Sequence, residues 1–112
     1  MSHFSTIKTQ LKESKPLIQA LNQLGYEVNQ EKKFIKGYRG QFTEVDISLD
    51  LLNDTKVGFK WNNNVDSYEL VTDLDLWKLQ LPVERFISKV TQMYAYYTII
   101  SKTEEDGYQV VE

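Results

Sequence analysis

Cysteine is absent from the 112 residues. That excludes disulfides, thiolate metal sites and a thiol nucleophile, and it leaves the redox compartment unread. Histidine occurs once, as His3. An imidazole base or ligand has no other source, and a serine–histidine pair would have to include it. Beside the N-terminus and without an assured partner, His3 reads as a strand residue. Arginine is confined to Arg39 and Arg85, and lysine carries the other positive charges. No apolar run approaches the ~18 residues of a membrane-spanning helix. The polar opening MSHFSTIKTQ lacks the form of a secretory or transit leader, so the protein is expected to work where it is made or to have lost a presequence. Phosphate-cradling loops of the GxxxxGK-S/T or GxGxxG type are missing. The net charge of −3 argues against a chain built for non-specific nucleic-acid binding.

What is present is ordinary for a globular chain: 41% hydrophobic, 12% aromatic and 26% charged residues. One domain over 1–112 is expected, because a split would leave neither half an adequate interior. The clearest period lies at 82–102, where Val83, Phe86, Ile87, Val90, Tyr94, Tyr97 and Ile100 recur at spacings of three and four. That makes one apolar stripe on a helix of about five or six turns. Pro82 suits its first position, and Gly107 follows a polar, fraying stretch at 103–106. Alone, such a helix is marginal; a sheet laid against its stripe would hold it.

The remaining segments supply that sheet. Residues 2–9 read as a strand with no clean inward face. Ser14 predicts an N-cap with Pro16 close behind, Leu17, Ala20, Leu21 and Leu24 form a short helical stripe, and Gly25 stops it. Extended structure resumes at 26–29. Residues 30–40 are basic and broken by Gly37 and Gly40, a short strand or exposed loop. At 43–52, Val45, Ile47, Leu49 and Leu51 alternate with Glu44, Asp46, Ser48 and Asp50, which predicts one strand with a core row and a solvated acidic row. Asn53-Asp54 predicts a turn. Val57, Phe59 and Trp61 form the next strand, residues 62–64 turn it, and 68–72 answer as a hairpin partner. Residues 73–81 read as a bent link, and 108–111 as a last strand. The fold class is therefore α+β, a single antiparallel sheet of about five strands with two helices on one face. LGYEV at 24–28 and DGYQV at 106–110 each follow a helix. They fit either a repeated β-α-β-β unit or ordinary cap-and-strand chemistry.

Several words exceed what packing needs. In GYRG at 37–40, glycines flank Arg39 with Lys36 before them, which would suit an anion or a solvated turn. Asp73 and Asp75, and the row Glu44, Asp46 and Asp50, are read as solvated carboxylates, since no Asp-x-Asp-x-Asp-Gly loop is present. Tyr94 and Tyr97 fall on the buried stripe. Tyr96 lies off it and fits either a contact residue or a rim tyrosine.

The words SHFSTIKTQ (2–10), LGYEV, GYRGQ (37–41), GFKWN (58–62), YELVTDLDLW (68–77) and PVERFISKVTQMYAYYTI (82–99) follow in order. Over essentially its whole length the chain thereby resembles the hypothetical chloroplast frame thirty-five family of algal plastid genomes and cyanobacteria. The resemblance implies a plastid stroma, or the cytoplasm of a cyanobacterium, and an association with photosynthetic cells. Related domains also occur alongside AAA-type ATPases. Family members usually continue into an Asp-Gly turn and a basic-ended strand, so the resemblance implies an ending short of that strand. Met93 stands where the family usually has a basic residue, which argues against a catalytic role there. The family brings no established reaction.

These readings predict a non-enzymatic protein-binding, assembly or regulatory factor without metal or cofactor. Its contact residues would be Lys36, Tyr38, Arg39, Trp61, Asn62 and Tyr96. The alternative is a nucleic-acid-binding regulatory module using Lys32, Lys33, Lys36 and Arg39. A small-ligand or metal enzyme is a third reading, weakened by the want of histidine and cysteine.

Overall fold

Val57, Phe59 and Trp61 stand opposite Thr72, Leu70 and Tyr68 in one antiparallel ladder, the centre of the molecule. A computed structural model describes residues 4–105 and 107. Its elements in order are β1 (Phe4–Lys8), α1 (Ser14–Gln23), β2 (Val28–Asn29), β3 (Phe34–Lys36), β4 (Phe42–Glu44), β5 (Ile47–Asp50), β6 (Lys56–Asn62), β7 (Ser67–Asp73) and α2 (Val83–Glu105). The main sheet has five strands in the order β1-β7-β6-β5-β2, and β3 and β4 form a separate pair. Every pairing is antiparallel. The α+β class is as the sequence predicts.

One face of the sheet packs under both helices. Ile47, Leu49, Phe59 and Leu70 meet Leu17 and Leu21 of α1 and Phe86 and Val90 of α2 in one buried cluster. The turn at Asn53-Asp54 forms as expected, both residues taking positive φ (58° and 61°), which asparagine and aspartate tolerate better than most. Gly25 ends α1 at φ 90°. The Gly25 N–H donates to Asn22 O (3.0 Å) and the Tyr26 N–H to Leu21 O (3.0 Å), a Schellman closure.

The helix starts differ from expectation. α1 begins at Ser14 itself, and its cap position, Glu13, makes no side-chain cap hydrogen bond. Instead the Tyr94 hydroxyl accepts from the N–H groups of Lys12 and Glu13, 3.0 Å each, so α2 holds the entry to α1. Pro82 lies just before α2, and its carbonyl accepts from Phe86 N–H at 3.0 Å. α2 continues past Lys102 to Glu105, with Thr103 Oγ1 donating to Ile99 O (2.8 Å). His3, the strand expected at 108–111, and with it the second limb of the suspected repeat, lie outside the described residues.

The strand expected over 43–52 is two strands. β4 ends at Glu44 and β5 starts at Ile47, and between them Val45 and Asp46 carry the chain from one layer into another. Val45 N–H donates to Lys33 O (2.8 Å), while Asp46 N–H donates to Phe59 O (2.9 Å). Val45 therefore leaves the row of Ile47 and Leu49 and joins Ile35, Val71 and Phe4 in a second cluster on the reverse face. The three acids of the outer row, Glu44, Asp46 and Asp50, are exposed as expected, but the row is not uniform. Ser48 is buried, Asp46 Oδ2 accepts from Trp61 N–H (2.7 Å), and Asp50 pairs with Lys56 (2.8 Å). The helices share one face as predicted, but the β3–β4 hairpin covers part of the other.

Candidate partner-docking surface

The GYRG word forms the tip of this hairpin. Phe34 pairs with Glu44, Ile35 with Thr43 and Lys36 with Phe42. Because side chains alternate across a strand, the pair has an inner and an outer side. Ile35 points inward and is 1% exposed. Phe34, Lys36, Phe42 and Glu44 point outward into solvent. Phe34 is 52% exposed and Phe42 64%. They sit diagonally across the two strands, about 7–8 Å apart at the backbone, close enough to form one patch.

The tip is fixed from below. A Cβ on Gly37 would lie 2.6 Å from Phe4 Cζ, so only glycine lets the chain come so near that ring. Gly37 N–H donates to Gln41 O (2.7 Å) and Gln41 N–H to Tyr38 O (3.2 Å). Buried Asp73 at the end of β7 accepts from Tyr38 N–H with Oδ2 and from Asp75 N–H with Oδ1, 3.0 Å each. Arg39 is held at φ 57°, where glycine or asparagine would sit with less strain. Its guanidinium carbon lies 5.2 Å from the centroid of the Tyr38 ring, a cation–π stack. Lys36, Tyr38 and Arg39 are thus brought together beside Phe42.

The other expected contact residues lie elsewhere. Trp61 and Asn62 sit at the opposite end of the β6–β7 ladder from Asp73. β7 has seven residues, so about 20 Å of strand separates them from the GYRG tip. Trp61 packs edge-on against Tyr68 (5.1 Å between centroids) and donates from Nε1 to Asn63 Oδ1 (2.8 Å). Asn62 donates to Glu69 Oε1 (2.9 Å) and accepts from Asn64 N–H (2.9 Å). Both residues brace the turn. Tyr96 is on α2, in the helical layer, 40% exposed and edge-on to Tyr97 at 5.2 Å. A shallow depression of about 550 Å³ beside it is lined by Gln23, Gln92, Met93 and Tyr97.

The four-cation patch is likewise divided. Lys32 Nζ is 3.6 Å from Asp50 Oδ1, and Lys33 Nζ donates to Asp46 O (2.9 Å). Lys56, bonded to both Asp50 (2.8 Å) and Asp54 (3.0 Å), holds the Asp50 carboxyl below the usual carboxylate range, and Asp50 in turn raises the Lys56 ammonium. Burial raises the phenols of Tyr26 and Tyr68. The Asp50 and Lys56 shifts belong to the β5–β6 pair, and those of Tyr26 and Tyr68 to the helical side of the sheet. Among the described residues, no group of three or more acidic or histidine side chains is placed to hold a metal ion, and no helix is long and apolar enough to cross a membrane.

Phe34 and Phe42 are absent from the expected contact set. Their signal was alternation on either side of the GYRG turn, Phe34-x-Lys36 and Phe42-x-Glu44, a hairpin pattern obscured by the lysines around it.

A family model described as a protein of unknown function, DUF1257, matches residues 20–112. Among curated proteins, the chain is 40% identical over 111 residues to the uncharacterized protein ycf35 of Guillardia theta, covering 99% of this chain and 85% of that one. It is 37% identical over 112 residues to ycf35 of Pyropia yezoensis and 31% identical to ycf35 of Cyanophora paradoxa, covering all of this chain and 86% of each relative. No solved structure matches.

Proposed function

From the premise that this chain belongs to the DUF1257 family of unknown function, with the ycf35 proteins of algae among its relatives, we propose that it is a non-enzymatic docking module. It recruits or helps assemble a protein partner in the plastid stroma, or in the cytoplasm if its host is a cyanobacterium, in the service of photosynthetic metabolism. The observation that carries this reading is the division of labour within the β3–β4 hairpin. Its inner residues, Ile35 and the Gly37 turn, are used by the fold. Its outer phenylalanines are more than half exposed and outside both buried clusters. Large apolar side chains presented side by side on a surface are the pattern that contiguous interaction patches show, whereas single exposed ones need no explanation. Because the element is fixed beforehand, little ordering cost opposes binding.

Affinity capture from a plastid or cyanobacterial lysate tests this, with wild-type protein set against a Phe34→Thr/Phe42→Thr variant. Threonine preserves strand propensity while removing the rings. A stoichiometric partner held by the wild type and lost by the variant is the expected result. The same recovery with both proteins, or none with either, contradicts it. The resemblance to domains found beside AAA-type ATPases makes an ATPase of that class one partner to look for.

A further inference from the structure

Resting on that docking role, we infer that the partner meets the hairpin with an acidic segment carrying an aromatic or leucine anchor. The chain as a whole is negative, at −3, yet the charged side chains that the hairpin tip presents to solvent, Lys36 and Arg39, are both positive, and the Asp73 carboxylate beneath them is buried and held by two N–H groups. Lys36 stands directly opposite Phe42, and the Arg39 guanidinium is stacked on Tyr38. Glu44, the acid of the outer face, is paired with Phe34 at the other end of the hairpin. An apolar anchor would therefore lie between Phe34 and Phe42 with its flanking carboxylates directed to the tip. There Arg39 offers a planar fork suited to two carboxylate oxygens and Lys36 a second point of charge.

The same aromatic and basic groups could in principle stack bases, as single-strand binders do. A polyanion, however, needs a continuous cationic track. Lys32 and Lys33, which would extend one, are turned to Asp50 and to the Asp46 carbonyl. Two discrete cations beside an exposed apolar patch fit discrete carboxylates better than a phosphate backbone. Electrostatic complementarity of this kind fixes register and partner choice.

The test is a random peptide display library panned on the full wild-type chain, counter-selected on Phe34→Thr/Phe42→Thr. The recovered peptides are then measured by fluorescence anisotropy against wild type and Lys36→Glu/Arg39→Glu, and labelled oligouridine is assayed in parallel. All four altered side chains project from the outer side or tip, so circular dichroism and melting should match wild type. Selected peptides should be rich in Asp and Glu around Phe, Trp or Leu. Charge reversal should weaken them about tenfold or more, and raising salt from about 50 to about 500 mM should weaken them severalfold. Neutral or basic winners, winners that bind the charge-reversed protein equally, or no hairpin-dependent peptide would overturn the inference, as would oligouridine binding that displaces the peptides. If a lysate partner is still lost with the phenylalanines, only the acidic assignment falls; if that partner ignores them, the docking role falls too.

Discussion

Gly58 and Val45 show how much one missing methyl group decides. A Cβ on Gly58 would collide with Val45 Cγ1 and lie 2.8 Å from its Cβ, an atom that a change of rotamer cannot move away. Gly58→Ala should therefore cost about 1–3 kcal/mol in urea unfolding. Adding Val45→Ala should recover part of that loss, because the two changes share one contact. Additive losses would mean that the valine does not lie over the glycine. Asp73 is the second pivotal residue. The residue is 4% exposed, and its carboxylate accepts from two backbone N–H groups. Asp73→Ala leaves both donors without that acceptor and should cost about 1–3 kcal/mol, with faster proteolysis at the GYRG tip. Asp73→Asn keeps one oxygen and should cost less.

At the level of elements, tertiary contacts replace local signals. Tyr94→Phe retains the buried ring but removes the oxygen that accepts from Lys12 and Glu13, so α1 should lose about 1 kcal/mol of support without a change in helix content. Ser14 looked like that support because its type favours caps; nothing in the local sequence could show a tyrosine arriving from eighty residues away. The β6–β7 hairpin, both helices and the Gly25 stop were legible because a strong period coincided with a turn or stop residue. The break between β4 and β5 was not, since Val45, Ile47 and Leu49 keep perfect alternation across it. The clue lay on the neighbouring strand, in Gly58. A glycine within the run KVGFKW marks a close approach by another segment. The β5–β6 pairing also sets a pH response. Asp50 titrates below its ordinary 3.8, so its contribution to stability is present above that value and is lost as acid takes the pH through the lowered one. Lys56 titrates above 10.5, so its contribution is present below that value and is lost as alkali passes the raised one. Both groups are partly solvated, and the pair is worth only about 0.5 kcal/mol. Asp50→Asn should flatten the acid limb of a melting-temperature profile by that small amount; an unchanged limb would show that the pair adds nothing.

The whole molecule is a sheet used on both faces. Helices cover one, and a hairpin lies on the other with its own small core of Ile35, Val45, Val71 and Phe4. The sequence disclosed the first layer because the helix stripes are long. It concealed the second because three-residue strands carry too little pattern, and because the exposed rings of Phe34 and Phe42 do not look different from buried ones on paper. Of the expected contact residues, Lys36, Tyr38 and Arg39 share a site because they are neighbours in the chain. Trp61, Asn62 and Tyr96 are scattered because no local rule says which end or face of a sheet a residue will reach. Equilibrium urea unfolding of two variants of one hairpin bears most directly on this account. Ile35→Ala should lose about 2–5 kcal/mol as a buried side chain does, while Phe34→Thr/Phe42→Thr should stay within about 0.5 kcal/mol of wild type as an exposed pair does. Equal losses from the two variants would mean the outer rings serve the fold, and no face would be left over for a partner.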